Sequence, residues 1–173
     1  MGRATWERLS LAFAAAMSAG CFYLVPSWEP AAAVFKDPCV LATIAAGLLI
    51  LILAACRHSG RQIARERQTL ALFLAAMPIV YLLRGLLSGI SASAGWFWVE
   101  IFGALVFGAL AWFGYRRLPW LLAIGIVAHG VLWDSWHYHS TYIPSWYALG
   151  CLIVDVGVGL YAAVRISTWP RNS

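Results

Sequence analysis

The third apolar stretch of the chain, residues 69–90, reads TLALFLAAMPIVYLLRGLLSGI, with Arg84 as its single charged side chain. About 20 consecutive apolar residues are enough for an α-helix to cross a bilayer. The strands of a membrane barrel would instead be short and would alternate apolar with polar residues. This stretch therefore predicts a transmembrane helix, and the pattern recurs along the chain.

Five further apolar stretches indicate a bundle of six transmembrane spans. The 173 residues are 62% hydrophobic and 11% charged, whereas a soluble domain averages about 25% charged residues. The length allows one domain, residues 1–173. The predicted fold class is an all-α polytopic membrane bundle, with spans near residues 9–25, 38–56, 69–90, 95–115, 118–137 and 143–165.

The arginines give this bundle a direction. Apart from Arg84, all of them fall on one side of the six spans, whereas the opposite side carries only Lys36. Because cytoplasmic loops are enriched in Lys and Arg, both termini are predicted to be cytoplasmic in a cell inner membrane. Residues 1–25 also resemble a signal peptide, although the apolar run continues past Cys21. The net charge of +5 then requires no nucleic-acid partner.

Seven ionisable side chains lie within the spans or at their ends. Such residues are costly in a bilayer, and they are usually paired or functional. Their positions predict one outward-facing site between the last four spans, and the stretch HGVLWDSWHYH, residues 129–139, is its densest part. The seven residues are Arg84, Glu100, His129, Asp134, His137, His139 and Asp155.

Imidazoles and carboxylates together favour a divalent transition metal, Zn or Fe. We expect His129, His137 and Asp155 to be the preferred ligands, with His139 next. Asp134 can contact His137, three residues on, and is predicted to orient a ligand or to act as a catalytic base. A water in an open coordination position would supply hydroxide at neutral pH.

The remaining predicted site residues serve catalysis and substrate binding. Arg84 could bind a phosphate or carboxylate in a bidentate manner. Glu100 could balance Arg84 or act as an acid. The predicted walls of an apolar substrate pocket are Trp133, Trp136 and Trp146.

These features favour an integral membrane enzyme that hydrolyses a lipid or another apolar substrate with a metal. A transporter or binding protein for a metal ion or small solute is the alternative, since buried His and Asp residues also form ion paths. A metal-free acid-catalysed isomerase or cyclase, or an accessory subunit of a membrane complex, also stays open. Haem is not expected, because the histidines of the spans all lie on span five. Glycines in the spans permit a homo-oligomer. The ionisable residues could also have a purely structural role, in which they only pair with one another.

Overall fold

A computed structural model shows the arrangement of the last four predicted spans. It describes five parts of the chain, namely Ala45, residues 63–87, Gly89, residues 95–167 and Trp169. Every regular element within these parts is helical, so the described part of the chain is all-α. The predicted spans 9–25 and 38–56 lie outside the described residues, apart from Ala45, which is helical.

Helix α1 covers Ile63–Leu87 and begins six residues before the predicted span 69–90, in a stretch that carries Arg65, Glu66 and Arg67. Its first turn contains Glu66, an acidic residue that favours a helix amino terminus. The carboxylate of Glu66 is buried and accepts hydrogen bonds from Tyr161 and Arg165. We name these three residues the Glu66 clamp. They fix the start of α1 against the last helix, and that tertiary pairing extends the helix into the charged segment.

Helix α2 covers Trp96–Arg116, and the last helix, α5, covers Ser145–Ser167. Together with α1, they are long and apolar enough to cross a membrane. At about 1.5 Å per residue, each of the three exceeds the roughly 30 Å thickness of the hydrocarbon core. The protein is therefore a membrane protein.

The segment between α2 and α5 is a helix with a change of register in its middle. It consists of α3 (Trp120–Ala128), a π-helix (His129–Asp134) and α4 (Ser135–His137). We refer to this run as the composite helix. It packs against α5 and α2, while α1 packs against α2.

Apolar side chains from all four helical runs form a shared core. Leu74 of α1, Phe107 of α2, Ile126 of α3 and Val158 of α5 are buried in it. The same helices turn large apolar side chains outward, such as Trp98, which is 70% exposed. Six Glu, Asp and His side chains are meanwhile buried among the described residues, namely Glu66, Glu100, His129, Asp134, His137 and Asp155. An apolar exterior around buried charged groups is the arrangement that a bilayer favours.

Candidate functional site

The π-helix determines which side chains of the composite helix share a face. On an ideal α-helix, with about 100° per residue, Asp134 would lie roughly 140° from His129. A π-helix closes its hydrogen bonds five residues apart, so each turn holds an additional residue. This change brings Asp134 back over His129. Single π-turns inside α-helices are frequent at functional sites.

His129 and Asp134 meet Asp155 of α5, and we name these three residues the metal-site cluster. His129 Nδ1 lies 2.7 Å from Asp155 Oδ2 and 3.4 Å from Asp134 Oδ1. One potential ligand atom from each residue lies within 4.8 Å of the others. The exposed fractions are 1% for His129, 0% for Asp134 and 3% for Asp155. The cluster could therefore hold a metal ion in the interior of the bundle.

Close approach of the backbones makes this cluster fit between its two helices. A Cβ atom on Gly130 would lie 2.8 Å from Cβ of Asp155 and 3.3 Å from the carbonyl oxygen of Leu152. Any side chain at position 130 would therefore push α5 away from the π-helix. Gly130 thus lets Asp155 come close to His129 and Asp134.

The chemistry of the cluster fits a divalent cation. Two buried carboxylates face one imidazole, and isolated buried charges are strongly unfavourable unless they are paired or coordinate a metal. The imidazole atom His129 Nε2 has no hydrogen-bond partner among the described residues. Oxygen and imidazole ligands suit Zn and Fe, and a divalent ion would neutralise two carboxylates.

Tyr81 of α1 also belongs to this region, although our sequence analysis did not select it. Its hydroxyl donates a hydrogen bond to Asp134 Oδ1 over 2.6 Å. Its ring is nearly parallel to that of His129, with centroids 5.9 Å apart, and it meets the His137 ring edge-on, with centroids 4.1 Å apart. The available signal was a hydroxyl-bearing side chain in an otherwise apolar span. That signal is weak, because tyrosines are also common at membrane interfaces.

A second polar group, Glu100, His137 and Tyr142, lies beside the metal-site cluster, and we name it the Glu100 cluster. His137 Nε2 lies 2.7 Å from Glu100 Oε1, and the Tyr142 hydroxyl donates a 2.5 Å hydrogen bond to the same oxygen. Burial raises the pKa of the Tyr142 hydroxyl, so Tyr142 keeps its proton and remains a donor at neutral pH. Sequence reasoning missed Tyr142, which lies in the link between α4 and α5.

The structure groups the predicted histidines and acids differently from the ligand set that we predicted. Asp134, predicted as a base or an orienting residue, lies among the candidate ligands. His137, predicted as a ligand, contacts Glu100 instead. His139 is exposed and contacts Tyr138, so the structure places it outside both clusters. Among the described residues, the group that could hold a metal is therefore His129, Asp134 and Asp155.

The other predicted residues occupy different environments. Arg84 is half-buried in the last turn of α1. Trp133 lies between Phe107 and His137, whereas Trp136 is 47% exposed and contacts the His137 ring. Trp146 is buried against Tyr147. The predicted roles of Arg84 in anion binding and of the tryptophans in substrate binding stay predictions.

Comparison with protein families, with characterised proteins and with solved structures gives no match for this chain. The functional argument therefore rests on the residues and their geometry.

Proposed function

We propose that the protein is a membrane enzyme that uses a divalent transition metal, Zn or Fe, to hydrolyse a lipid or another apolar substrate. The observation that carries this proposal is the metal-site cluster, in which His129, Asp134 and Asp155 offer ligand atoms within 4.8 Å of one another. All three side chains are buried in a bundle whose exterior is apolar. A substrate that reaches them from the surroundings must therefore be apolar itself or have an apolar part.

His129, Asp134 and Asp155 would hold the metal in this proposal. A divalent ion there would act as a Lewis acid and make hydroxide available at neutral pH. Tyr81 would orient Asp134 through its 2.6 Å hydrogen bond, which is the usual role of a residue behind a metal ligand. The neighbouring Glu100 and His137 are suited to moving a proton, because their Oε1 and Nε2 atoms lie 2.7 Å apart.

The proposal includes a topology for the whole chain. Six spans with both termini in the cytoplasm would place the Glu100 cluster towards the extracytoplasmic side of a cell inner membrane. The end of the bundle that carries this cluster contains the carboxyl end of α1 and the amino end of α2. The opposite end carries Arg116 and Arg165. The charge difference between the two ends supports this orientation.

The test is lipid turnover by purified full-length protein, stripped of metal and reconstituted into vesicles of mixed phospholipids and neutral glycerides. Zn²⁺ or Fe²⁺ is then added, and hydrolysis products are quantified by mass spectrometry. We expect products with the native chain and metal, and none with His129→Ala. His139→Ala is the matched control, because this exposed histidine lies outside both clusters.

Two results would contradict the proposal. Equal turnover by the native chain and His129→Ala would show that the reaction does not use the cluster. Metal uptake into the vesicles without any lipid turnover would support the transporter instead.

A further inference from the structure

Three arginines lie where the beginning of α1 meets the end of α2. Arg116 is the last residue of α2, and Arg117 caps this helix. Arg67 of α1 donates a hydrogen bond from Nε to the carbonyl oxygen of Gly114 over 3.1 Å, so it lies against the last turn of α2. We name Arg67, Arg116 and Arg117 the arginine patch. The patch lies at the end of α2 that is opposite to Glu100.

Contacts within α2, and between α1 and α2, hold two guanidinium groups of the patch in place. The guanidinium carbon of Arg116 lies 4.6 Å from the centroid of the Trp112 ring and 6.0 Å from that of Tyr115. Arg67 is held by its hydrogen bond to Gly114 and interacts electrostatically with Tyr115. Tyr115 thus lies between the two guanidinium groups. A planar guanidinium in a fixed orientation is suited to bidentate binding of a phosphate, whereas orienting a protein in the membrane requires only charge.

The charge of the arginine patch is not balanced within the described part of the chain. Glu66, next to Arg67 in the sequence, is engaged by Arg165 in the Glu66 clamp. None of the described Asp and Glu side chains forms an ion pair with the three arginines of the patch. The patch therefore carries three positive charges, and charge complementarity favours an anionic ligand.

Large apolar side chains surround the patch on the last turn of α2 and on the link to α3. Four of them are at least 50% exposed, namely Trp112, Phe113, Leu118 and Trp120. A free phosphate or a nucleic acid would leave this apolar surface uncovered, whereas the acyl chains of a lipid cover it. Tryptophan also favours the head-group region of a bilayer. A phospholipid fits both the charge and the apolar surroundings.

We infer that the arginine patch binds a phospholipid whose head group has a net negative charge. The guanidinium groups of Arg67 and Arg116 bind the phosphate, Arg117 adds charge, and the acyl chains lie along Trp112 and Leu118. A zwitterionic lipid fits less well, because the arginines repel its ammonium group. This inference goes beyond the proposed function and does not rest on it, since the patch shares no residue with the metal-site cluster.

The test is binding of radiolabelled phosphatidic acid to the delipidated full-length protein in detergent, measured by scintillation proximity. Unlabelled phosphatidic acid, phosphatidylcholine and inorganic phosphate are compared as competitors. We expect phosphatidic acid to displace the label at least about tenfold more effectively than phosphatidylcholine, because each arginine near a lipid head group contributes about fivefold. Equal displacement by phosphatidylcholine would overturn the inference. Inorganic phosphate that competes as well as phosphatidic acid would also overturn it, since the site would then take the free anion.

A pair of arginine variants separates this site from the general effect of positive charge. Arg116→Gln should weaken the binding of phosphatidic acid about tenfold, because it removes a charge-assisted hydrogen bond. Arg65→Gln removes the same charge from an exposed arginine that lies two residues before Arg67 and thus on another side of α1. It should change the affinity less than about twofold. Equal losses in the two variants would show that lipid binding follows net charge alone, which would contradict the assigned site.

A second pair of variants keeps every charge. Trp112→Leu removes the ring beneath the Arg116 guanidinium and should weaken the binding of phosphatidic acid about threefold. Trp98→Leu makes the same change at an exposed tryptophan near the other end of α2 and should leave the affinity unchanged. Native affinity in Trp112→Leu would contradict the role of a stacked Arg116 in the site.

Discussion

Buried acids have different partners in two regions of the bundle, the Glu66 clamp at one end and the metal-site cluster in the interior. In the Glu66 clamp, Oε1 accepts hydrogen bonds from Tyr161 and from Arg165 Nε, and Oε2 accepts one from Arg165 Nη2 at 3.0 Å. The carboxylate has a permanent cation, and both of its oxygens are occupied. In the metal-site cluster, two carboxyl groups share one imidazole, and His129 Nε2 has no hydrogen-bond partner among the described residues.

This difference separates a structural ion pair from a functional site. An acid that only joins two helices is best served by an arginine, which brings its own charge and a planar set of donors. The Glu66 clamp has this form and needs nothing further. The three residues of the metal-site cluster include no permanent cation, although they lie deeper in the bundle. We interpret its incomplete neutralisation as capacity for a metal, and the following predictions test this contrast.

The largest expected effect is on metal affinity when one site carboxylate is neutralised. Asp155→Asn keeps the shape of the side chain but removes a charged ligand. We expect it to weaken metal binding at least about 100-fold, the upper end of what loss of a supporting residue costs. Equilibrium dialysis with radioactive zinc measures the affinity. Glu66→Gln is the matched control and should bind as tightly as the native chain, so equal losses in both variants would remove the distinction between the two regions.

Loss of the cation of the Glu66 clamp is expected to lower stability and to leave metal affinity unchanged. Arg165→Met leaves the buried Glu66 carboxylate with the Tyr161 hydroxyl but without its cation, which should lower the free energy of unfolding by about 2 kcal/mol. Metal affinity per folded molecule should not change. Arg116→Met is the control, because Arg116 is exposed and its guanidinium lies over two rings, 4.6 Å from the centroid of Trp112 and 6.0 Å from that of Tyr115. Unfolding in detergent micelles measures the difference, and similar stability of the two variants would show that the clamp does not stabilise the bundle.

A third effect concerns the contact between the π-helix and α5. Gly130→Ala places a methyl group against Asp155 and should cost about 1.5 kcal/mol in the free energy of unfolding. It should also weaken metal binding, since Asp155 must move. Gly108→Ala is the control, because a Cβ atom there meets no other atom within 4 Å. If both variants unfold alike, the close approach at Gly130 is not required.

The smallest expected effect comes from hydroxyl groups behind the two carboxylates. Tyr81→Phe removes the donor to Asp134 and should weaken metal binding about tenfold. Tyr161→Phe removes the donor to Glu66 and should instead lower stability by about 1 kcal/mol. Metal titrations and unfolding curves of both variants test whether Tyr81→Phe affects mainly metal affinity and Tyr161→Phe mainly stability. Metal binding that is unaffected by Tyr81→Phe would exclude a positioning role for Tyr81.

The sequence predicted the apolar helices because the bilayer imposes a length that can be read directly from an apolar run. The start of α1 was not predictable in this way. Glu66 and its charged neighbours fall before the predicted span 69–90, and the pairing of Glu66 with Arg165, 99 residues later, ties them to the last helix. A local pattern carries no information on such a distant partner.

Part of the site was predictable because an ionisable side chain deep in a span needs a partner. His129 and Asp155 were selected because both lie deep in their spans, and they are in contact. Asp134 received a different role because its three-residue spacing to His137 on an α-helix made His137 the expected contact, whereas the structure places Asp134 beside His129. Apolar periodicity does not reveal a π-turn, since one extra residue per turn leaves the apolar run unchanged. His137 and Glu100 lie on different helices, so their pairing emerged only from the three-dimensional arrangement.

The most direct test of this account is the metal content of the native protein. Full-length protein is purified without chelator, equilibrated with Zn²⁺ or Fe²⁺, freed of excess metal and analysed by plasma mass spectrometry. A structural or catalytic centre of this type predicts about one ion per chain, and its loss in Asp155→Asn. Native protein that retains no more metal than Asp155→Asn would contradict the account.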